Sequence, residues 1–425
     1  MTVALSPRRR KEVIDALRRG TVPHNGLDVL AVGLDRFKST MDSELDTVTS
    51  GGAVFKAVRG EYGAGKTFFA RWLGERAKRR GMAVAEVQIS ETETPLHRLE
   101  TVYRRVCESL QTAEFPPSAL RPVLDAWLFS LDQEAGGDAG TVLERRLASV
   151  SQTTPAFAAA LRAYRSALRD GDSSSAEGLV AWLGGQPHVA AAVRRGAGVR
   201  GDLDHFGAFG FLQGLLTVLR DSGHPGLLLV LDEVETLQRA RADVRDKALN
   251  ALRQLIDEVD SGRFPGLYLL VTGTPAFFEG PQGVQRLAPL AQRLATDFTT
   301  DARFDNPRAV QVRLAGFTHD SLREVGIRVR DLFATGATDT SRIERVVDDR
   351  YIDDLASALA GRLGGKVGIA PRLFLKKLIG DVLDRVDQFP DFDPRTDYAL
   401  TVASTEMTEV ERNAANADEV PLDLP

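Results

Sequence analysis

The sequence predicts an α/β fold in which a parallel sheet lies between helices. Two observations favour this class. Short β-rich runs alternate with segments of helical periodicity along the 425-residue chain. Two of those runs, GLLLVL and GLYLLV, are apolar throughout, as expected of strands that are buried on both faces.

Composition narrows the class of protein. Hydrophobic residues make up 43% of the chain and charged residues 27%, which is ordinary for a globular protein in water. The net charge of −5 provides no overall basic field, so any contact with nucleic acid requires a local patch. The single cysteine, Cys107, excludes an intramolecular disulfide and fits a reducing compartment.

The sequence shows no clear pattern of a signal peptide, a membrane span or a metal site. The N-terminal basic residues follow a very short apolar stretch, which is the wrong order for a signal peptide. The apolar run GLLLVL is far too short to span a bilayer. The six histidines and the single cysteine show no metal-ligand spacing. We therefore expect a cytoplasmic protein with no membrane partner and no structural zinc site.

The start of the chain reads as two helices around an irregular segment. One helix is predicted from Arg8 to Arg19, where Gly20 ends it, and another from Phe37 to Val48. Between them, TVPHNGLDVLAVG contains breakers at Pro23 and Gly26. This part is therefore expected to precede the sheet as a helical unit.

The predicted sheet begins at GGAVFKAVRG, and a glycine-rich loop leads from this strand into a helix from about Lys66 to Lys78. MAVAEVQIS alternates in polarity and predicts the next strand. From Pro95 to about Gly223 the apolar spacing is helical. GLLLVL and GLYLLV then supply two buried strands, separated by a helix from about Val244 to Val259. After Phe304 the pattern is mostly helical.

These patterns divide the chain into four parts. Lys66 and Asp232 lie much farther apart than two βα units require, which predicts a helical insertion at about 100–201 within the core. The parts are a helical segment at 1–50, the sheet-containing core at 51–300, a C-terminal helical lid at 301–389, and a loose acidic tail at 390–425.

The glycine-rich loop, GEYGAGKT, occupies residues 60–67. It matches the pattern G-x-x-x-x-G-K-[ST] at every position and lies between a strand and a helix, as the pattern requires. Glycines allow backbone N–H groups to surround phosphates, and the start of the following helix adds partial positive charge. A plain glycine-rich connector is the alternative, but the glycines cost backbone entropy and supply no packing.

The loop therefore predicts binding of a nucleoside triphosphate. Lys66 would bridge the β- and γ-phosphates, and the Thr67 hydroxyl would bind Mg²⁺. At the start of the helix, Phe68 and Phe69 fit core-facing anchors better than adenine-stacking residues. The residues predicted to form the nucleotide-binding loop are Gly60, Glu61, Tyr62, Gly63, Ala64, Gly65, Lys66, Thr67 and Phe68.

Two acids follow the buried strand in GLLLVLDEVE. Asp232 comes at the carboxyl end of that strand, where open α/β sheets bind ligands, and is expected to hold Mg²⁺. Glu233 could orient and deprotonate an attacking water. Alternatively, the two acids merely cap the next helix. Glu235 is expected on a helix surface.

Together these motifs resemble those of the AAA+ ATPases, nearest the origin-recognition-like branch. The likeness rests on GEYGAGKT, LLLVLDE, a strand ending in VTGTP and a helical region containing APR. A narrower resemblance, to the BREX phage-defence ATP-binding proteins of the BrxD kind, rests on ALRRGTVPHNGLDVLAVG, FKAVRGEYGAGKTFFARW and LDEVETL. It covers most of the chain. The resemblance implies an ATPase that forms ADP and phosphate and assembles with copies of itself.

The AAA+ resemblance also implies roles for individual residues. Thr274, or Thr272 as the weaker candidate, would align the γ-phosphate and water, unless its hydroxyl simply closes a turn. Arg293, with Arg286 as a competitor, would reach a neighbouring subunit's nucleotide, unless it is an ordinary surface arginine. Arg372, in GIAPRLFLKK, would reach the γ-phosphate from the lid, unless an acidic neighbour holds it.

The same resemblance implies a contact with adenine as well as several partners. Val22 and Pro23 fall where this group packs a rigid segment against adenine, although a plain turn is also consistent with them.

A defence system implies protein partners of helicase or methyltransferase type, together with non-specific DNA contact. The basic clusters at Arg8–Lys11 and Arg76–Arg80 lie on predicted helix faces, where solvated side chains are the usual explanation. Because only about 40 residues follow the lid segment that ends near Phe389, we expect no winged-helix DNA reader there.

Two other functions are consistent with these motifs. A nucleotide-gated scaffold would bind ATP and recruit partners with little hydrolysis, using the helical insertion. A small-molecule kinase with the same phosphate loop is the weaker reading, because two acids follow the strand and no acceptor-pocket motif is present.

Overall fold

The computed structural model describes residues 5–134, 139–362 and 371–406. Within them the predicted α/β class is confirmed, because five parallel strands form one sheet between helices. Every described helix is too short or too polar to cross a lipid bilayer. The helices are α1 (Pro7–Arg18), α2 (Asp35–Thr49), α3 (Lys66–Arg79), α4 (Leu99–Ser109), α5 (Leu120–Glu134), α6 (Ala139–Thr153), α7 (Pro155–Asp170), α8 (Ser173–Leu183), α9 (Ala191–Gly196), α10 (His205–Asp221), α11 (Ala242–Asp260), α12 (Pro275–Glu279), α13 (Ala288–Arg293), α14 (His319–Ala334), α15 (Thr340–Val346), α16 (Asp349–Arg362), α17 (Pro371–Lys377) and α18 (Asp384–Gln388).

The strands follow the order β2-β3-β4-β1-β5 across the sheet. The sequence did not predict the last of them, because three residues are too few to show an alternating pattern. This strand exists because the edge of β1 supplies hydrogen-bond partners, including the bond from Leu314 N–H to Arg59 O of 2.8 Å. The strands are β1 (Val54–Arg59), β2 (Ala83–Gln88), β3 (Leu227–Asp232), β4 (Leu267–Gly273) and β5 (Gln311–Arg313).

The strand order brings distant parts of the chain to one edge of the sheet. At the carboxyl ends of the strands, Arg59 of β1 is paired with Gly273 of β4. On the other side of β4, Asp232 of β3 is paired with Gln88 of β2. The loop after β1 and the acids after β3 therefore meet at the same edge, as expected for ligand binding by an open parallel sheet.

The two faces of the sheet are covered differently. On one face, α2 and α3 supply buried side chains such as Phe69 and Trp72. On the other face, the helices between β2 and β3 share one continuous core with the strands. Within that core, Phe211 makes edge-on ring contacts with Phe157 and Trp182. The helices α4 to α10 are thus packed into the body of the protein.

A separate core holds the C-terminal helices together. It contains buried side chains from α14 to α18 and also Val13 and Leu17 of α1. In addition, Arg18 of α1 donates to both carboxylate oxygens of Asp384, at 2.6 and 2.8 Å. The first helix therefore belongs with the C-terminal helices by packing, whereas α2, which follows it in the sequence, packs on the sheet.

The segment after α18 runs along this core of C-terminal helices. The Tyr398 hydroxyl donates to Asp381 at 3.1 Å, and Leu400 and Val402 pack against the core. The Glu406 carboxylate lies 2.9 Å from the Lys377 ammonium. The predicted loose tail is therefore held against the C-terminal helices as far as residue 406, and residues 407–425 lie outside the described part of the chain.

A buried ion pair between α2 and β1 provides a test of stability. Lys56 of β1 is 2% exposed, and its ammonium lies 2.7 Å from Glu44. Tyr268 also donates to Glu44, at 2.6 Å. Glu44→Ala should lower the free energy of unfolding by about 3 kcal/mol, because it leaves a buried cation without its anion. Urea denaturation measures this loss.

The matched control for this variant is Asp46→Ala, on the same helix. Asp46 is 65% exposed and pairs with Arg80, so its loss should change the stability by less than about 1 kcal/mol. Equal stability losses for Glu44→Ala and Asp46→Ala would contradict the assigned importance of the buried pair.

Candidate functional site

The glycine-rich loop has backbone angles that only glycine adopts without strain. Gly63 and Gly65 have φ values of 80° and 89°, in the left-handed region. Gly65 is the N-cap of α3 and provides no side-chain cap. The N–H groups of the first turn of α3 are therefore left for a ligand, and the helix dipole favours an anion there.

Lys66 is the first residue of α3 and is buried. Its ammonium donates to Gly60 O at 2.9 Å and to Glu61 O at 3.4 Å. It also lies 5.1 Å from the ring centre of Tyr62 and 3.6 Å from a carboxylate oxygen of Glu235. The lysine is thus folded back over its own loop, where its charge can meet a phosphate.

The Asp232 carboxylate is buried at the end of β3 and is held by two hydroxyl groups. Thr67 donates to one of its oxygens at 2.9 Å, and Thr272 donates to the other. The Thr67 hydroxyl and the Asp232 carboxylate are oxygen ligands of the kind that Mg²⁺ prefers. No group of three or more acidic, histidine or cysteine side chains suited to a metal occurs in the described part of the chain. The donor set fits a magnesium ion that is shared with phosphates.

Glu233 follows in an unusual backbone conformation. Its φ of 60° and ψ of 43° lie in the left-handed region, which is strained for a residue other than glycine and often marks a functional site. Two hydrogen bonds hold the backbone in this conformation: the N–H group of Glu233 donates to the Asp232 carboxylate and to the Thr272 hydroxyl, each at 3.2 Å. Its side chain makes no capping bond but accepts a hydrogen bond of 2.7 Å from Gln88.

Gln88 and Glu235 are site residues that the sequence did not indicate. Gln88 ends β2, so its approach to Glu233 depends on the strand order. Glu235 was expected on a helix surface, and that expectation is wrong: the residue is only 5% exposed. Neither of its carboxylate oxygens has a hydrogen-bond partner in the described structure. Burial raises the pKa of the Glu235 carboxyl, and the Lys66 ammonium opposes this rise.

A cavity of ≈ 550 Å³ lies between the sheet edge and the C-terminal helices. Its walls come from the glycine-rich loop, from the segment before α2, from the loop after β5 and from α17. Of the residues singled out from the sequence, those in its lining are Val22, Pro23, Tyr62, Gly63, Ala64, Gly65, Lys66, Thr67, Phe68, Glu233, Glu235 and Arg372. Those outside its lining are Gly60, Glu61, Asp232, Thr272, Thr274, Arg286 and Arg293.

The wall formed by Val22 and Pro23 is anchored to α3. Arg71 donates to Val22 O at 2.6 Å and is held by the carboxylate of Glu86. Glu75 accepts hydrogen bonds from the N–H groups of Gly26 and Leu27, at 3.1 and 2.8 Å. A segment fixed in this way can hold a flat, apolar group against the mouth of the loop.

Thr272 and Thr274, the two candidate threonines from the sequence, occupy different positions. Thr272 lies within β4, is fully buried and contacts Asp232. Thr274 is buried as the N-cap of α12, and its side chain makes no capping bond. Thr272, the weaker candidate from the sequence, is therefore the one that contacts the acidic pair.

The three candidate arginines are also placed differently. Arg293 forms an ion pair with Asp257 of α11, and Arg286 forms one with Asp246 of the same helix. Neither of them lines the cavity. Arg372 lines the cavity and donates to the Glu406 carbonyl at 2.8 Å. Only the last could reach a nucleotide bound in this chain's own cavity.

The basic clusters are largely neutralised by acids. In the second cluster, Arg76 pairs with Asp42, and Arg80 pairs with Asp42 and Asp46. Arg79 pairs with Asp28 at 2.5 Å. In the first cluster, Arg8 and Lys11 pair with acids one turn further along α1. The expected solvated helix face is wrong for Arg76, which is buried at 7% exposure and held by its acidic partner. The pairing with acids leaves little free positive charge for a dedicated nucleic-acid site at these clusters.

The strand order β2-β3-β4-β1-β5, the loop before α3, the acids after β3 and the C-terminal helices together define an AAA+ protein with a P-loop. More narrowly, the family described as "BREX system ATP-binding protein BrxC/D" matches residues 5–402, and the chain belongs to that family. Its membership makes it an ATP-binding protein of a BREX system.

No curated protein matches the chain. Among solved structures, it is similar to the ORC2 protein of Aeropyrum pernix, whose structure was determined as ADPNP–ADP complexes. The two share 12% sequence identity, with a TM-score of 0.35, over 86% of this chain and 70% of that chain. A likeness at this level assigns no role to any residue.

Proposed function

We propose that this protein binds Mg–ATP in the cavity and hydrolyses it to ADP and phosphate as part of an anti-phage defence system. The observation that carries the proposal is the meeting of Thr67, Asp232 and Glu233 at one edge of the sheet. The Thr67 hydroxyl lies 2.9 Å from the Asp232 carboxylate, with Glu233 as its neighbour in the chain. A loop for phosphates, ligands for a cation and a candidate base are thereby adjacent.

In the proposed mechanism, the loop N–H groups and Lys66 hold the triphosphate in position. Thr67 and Asp232 would hold Mg²⁺, which neutralises charge on the phosphates. Glu233 accepts the proton of the attacking water once its carboxylate leaves Gln88. From the lid, Arg372 donates to the γ-phosphate in place of the Glu406 carbonyl.

The cavity walls suggest how ATP would control assembly. They come from both the sheet edge and the lid, so a bound nucleotide would tie these two parts together. Arg293 or Arg286 would then complete the site of a neighbouring copy, giving a homo-oligomer. Protein partners of helicase or methyltransferase type and non-specific DNA contact are part of this proposal, which places the protein in the cytoplasm.

Removal of the metal provides a direct test. Steady-state phosphate release by the purified protein should be measurable with Mg–ATP and should fall to background when EDTA is in excess over magnesium. The expected reason is that, without the cation that Thr67 and Asp232 would hold, the negative charge of the triphosphate is not neutralised and the Asp232 carboxylate repels it. A rate that is unchanged by EDTA would contradict magnesium-dependent hydrolysis at this site.

A nucleotide-gated scaffold with little turnover is the second candidate. Two observations favour it: the Glu233 carboxylate is engaged by Gln88, and the helices between β2 and β3 expose large aromatic side chains. Phe129 is 66% exposed and Phe206 is 87% exposed. Light scattering with and without Mg–ATP distinguishes the candidates, because assembly without phosphate release supports the scaffold.

A further inference from the structure

Glu235 is a buried carboxylate that its surroundings do not satisfy. It is 5% exposed, and neither carboxylate oxygen has a hydrogen-bond partner in the described structure. Its counter-charge is the Lys66 ammonium, at 3.6 Å. Because an unsatisfied buried carboxylate destabilises a fold, stability alone does not explain its presence. It also lines the cavity, where nucleotide phosphates would enter.

The position of Glu235 is fixed by its short helical turn. It lies between Val234 and Leu237, which are 0% and 3% exposed and anchor the turn in the core. The backbone that carries the carboxylate is therefore anchored in the core. Lys66, in contrast, has a long side chain that can exchange one oxygen partner for another.

We infer that Glu235 is a positioning residue that competes with the triphosphate for Lys66 and so weakens nucleotide binding. The inference rests on the proposed function of the cavity as an ATP site. Without nucleotide, Glu235 attracts the ammonium that the phosphates need. When a nucleotide is bound, the same carboxylate repels its phosphate groups. This repulsion is stronger than in bulk water, because the buried site has a lower effective dielectric constant.

Both effects act in the same direction. Removing the charge of Glu235 releases Lys66 in the free protein and removes a repulsion in the complex. The gain should be larger for a nucleoside triphosphate than for a diphosphate, because the γ-phosphate adds negative charge close to Lys66. In the wild-type protein, the charge of Glu235 therefore makes ATP and ADP leave the site more readily than they would without it.

Calorimetry with full-length protein tests this inference. Mg–ATPγS and Mg–ADP are titrated into the wild type, into Glu235→Gln and into Glu235→Asp. Glu235→Gln should bind Mg–ATPγS about tenfold more tightly and Mg–ADP about threefold more tightly. Glu235→Asp, which keeps the charge, should remain within about twofold of the wild type. If the glutamine variant does not fold, Glu235→Met replaces it with the same expectation.

The exposed residue Glu177, on α8, gives the control variant Glu177→Gln, which should bind both nucleotides like the wild type. No binding by well-folded wild-type protein would contradict the proposed ATP site itself. Binding by the wild type with equal or weaker binding by Glu235→Gln would overturn the inference and leave the ATP site standing. Equal tightening by the aspartate and glutamine variants would also overturn it, because charge would then not be the cause.

Discussion

Lys66→Ala should lower the affinity for Mg–ATP by at least about a thousandfold. In the structure, the ammonium is buried at the start of α3 and donates to two carbonyl groups of its own loop. Removing a charge that pairs with phosphates in a partly dry site costs about 4 kcal/mol of binding free energy. Calorimetric titration with Mg–ATPγS measures the loss.

The same substitution affects folding, so binding and stability must be separated. Lys66→Ala leaves the buried Glu235 without its cation, which should lower the free energy of unfolding by about 2 kcal/mol. Adding Glu235→Gln to this variant should restore much of the stability but not the binding. Lys38→Ala, at an exposed lysine of α2, is the matched control and should bind normally. Normal ATP binding by Lys66→Ala would refute the assignment of the loop.

Glu233→Gln should slow phosphate release by about a thousandfold while leaving ATP binding intact. Glutamine keeps the size of the side chain but cannot accept a proton from water, and general-base catalysis contributes about 10²–10⁴-fold to a rate. The backbone at residue 233 is held by hydrogen bonds from its own N–H group, so the substitution should not disturb it. Phosphate release at saturating Mg–ATP measures the rate, and calorimetry measures the binding.

The outcome for Glu233→Gln also separates the two candidate functions. A fall in rate with unchanged affinity supports an ATPase whose base is Glu233. Equal slow rates in the variant and the wild type, with ATP-dependent assembly in both, support the scaffold instead. Glu177→Gln provides the control for an unrelated loss of carboxylate charge and should keep the wild-type rate.

Local motifs explain why much of the candidate site was predictable. GEYGAGKT is contiguous, and its glycines are needed at φ values that other residues avoid, so the sequence alone indicates a phosphate loop. Asp232 and Glu233 follow an apolar run whose burial is visible in the sequence. The expectation that Glu235 lies on a surface was wrong because a single turn after a strand shows no periodicity.

Contacts between distant segments were not predictable. Gln88 reaches Glu233 only because β2 and β3 are neighbours in the sheet. Thr272 contacts Asp232 because β4 lies on the other side of β3. The packing of α1 likewise depends on C-terminal helices that are more than three hundred residues away in the sequence.

The amino-acid sequence by itself determined the class of fold, the phosphate loop and the acidic pair, because each depends on backbone freedom or hydrophobic pattern within a few residues. The tertiary structure decided which side chains surround that pair, that Arg372 lines the cavity, and that Glu235 is buried beside Lys66. These features depend on strand order and on packing between segments that are far apart in the chain, and neither leaves a periodic trace in the sequence.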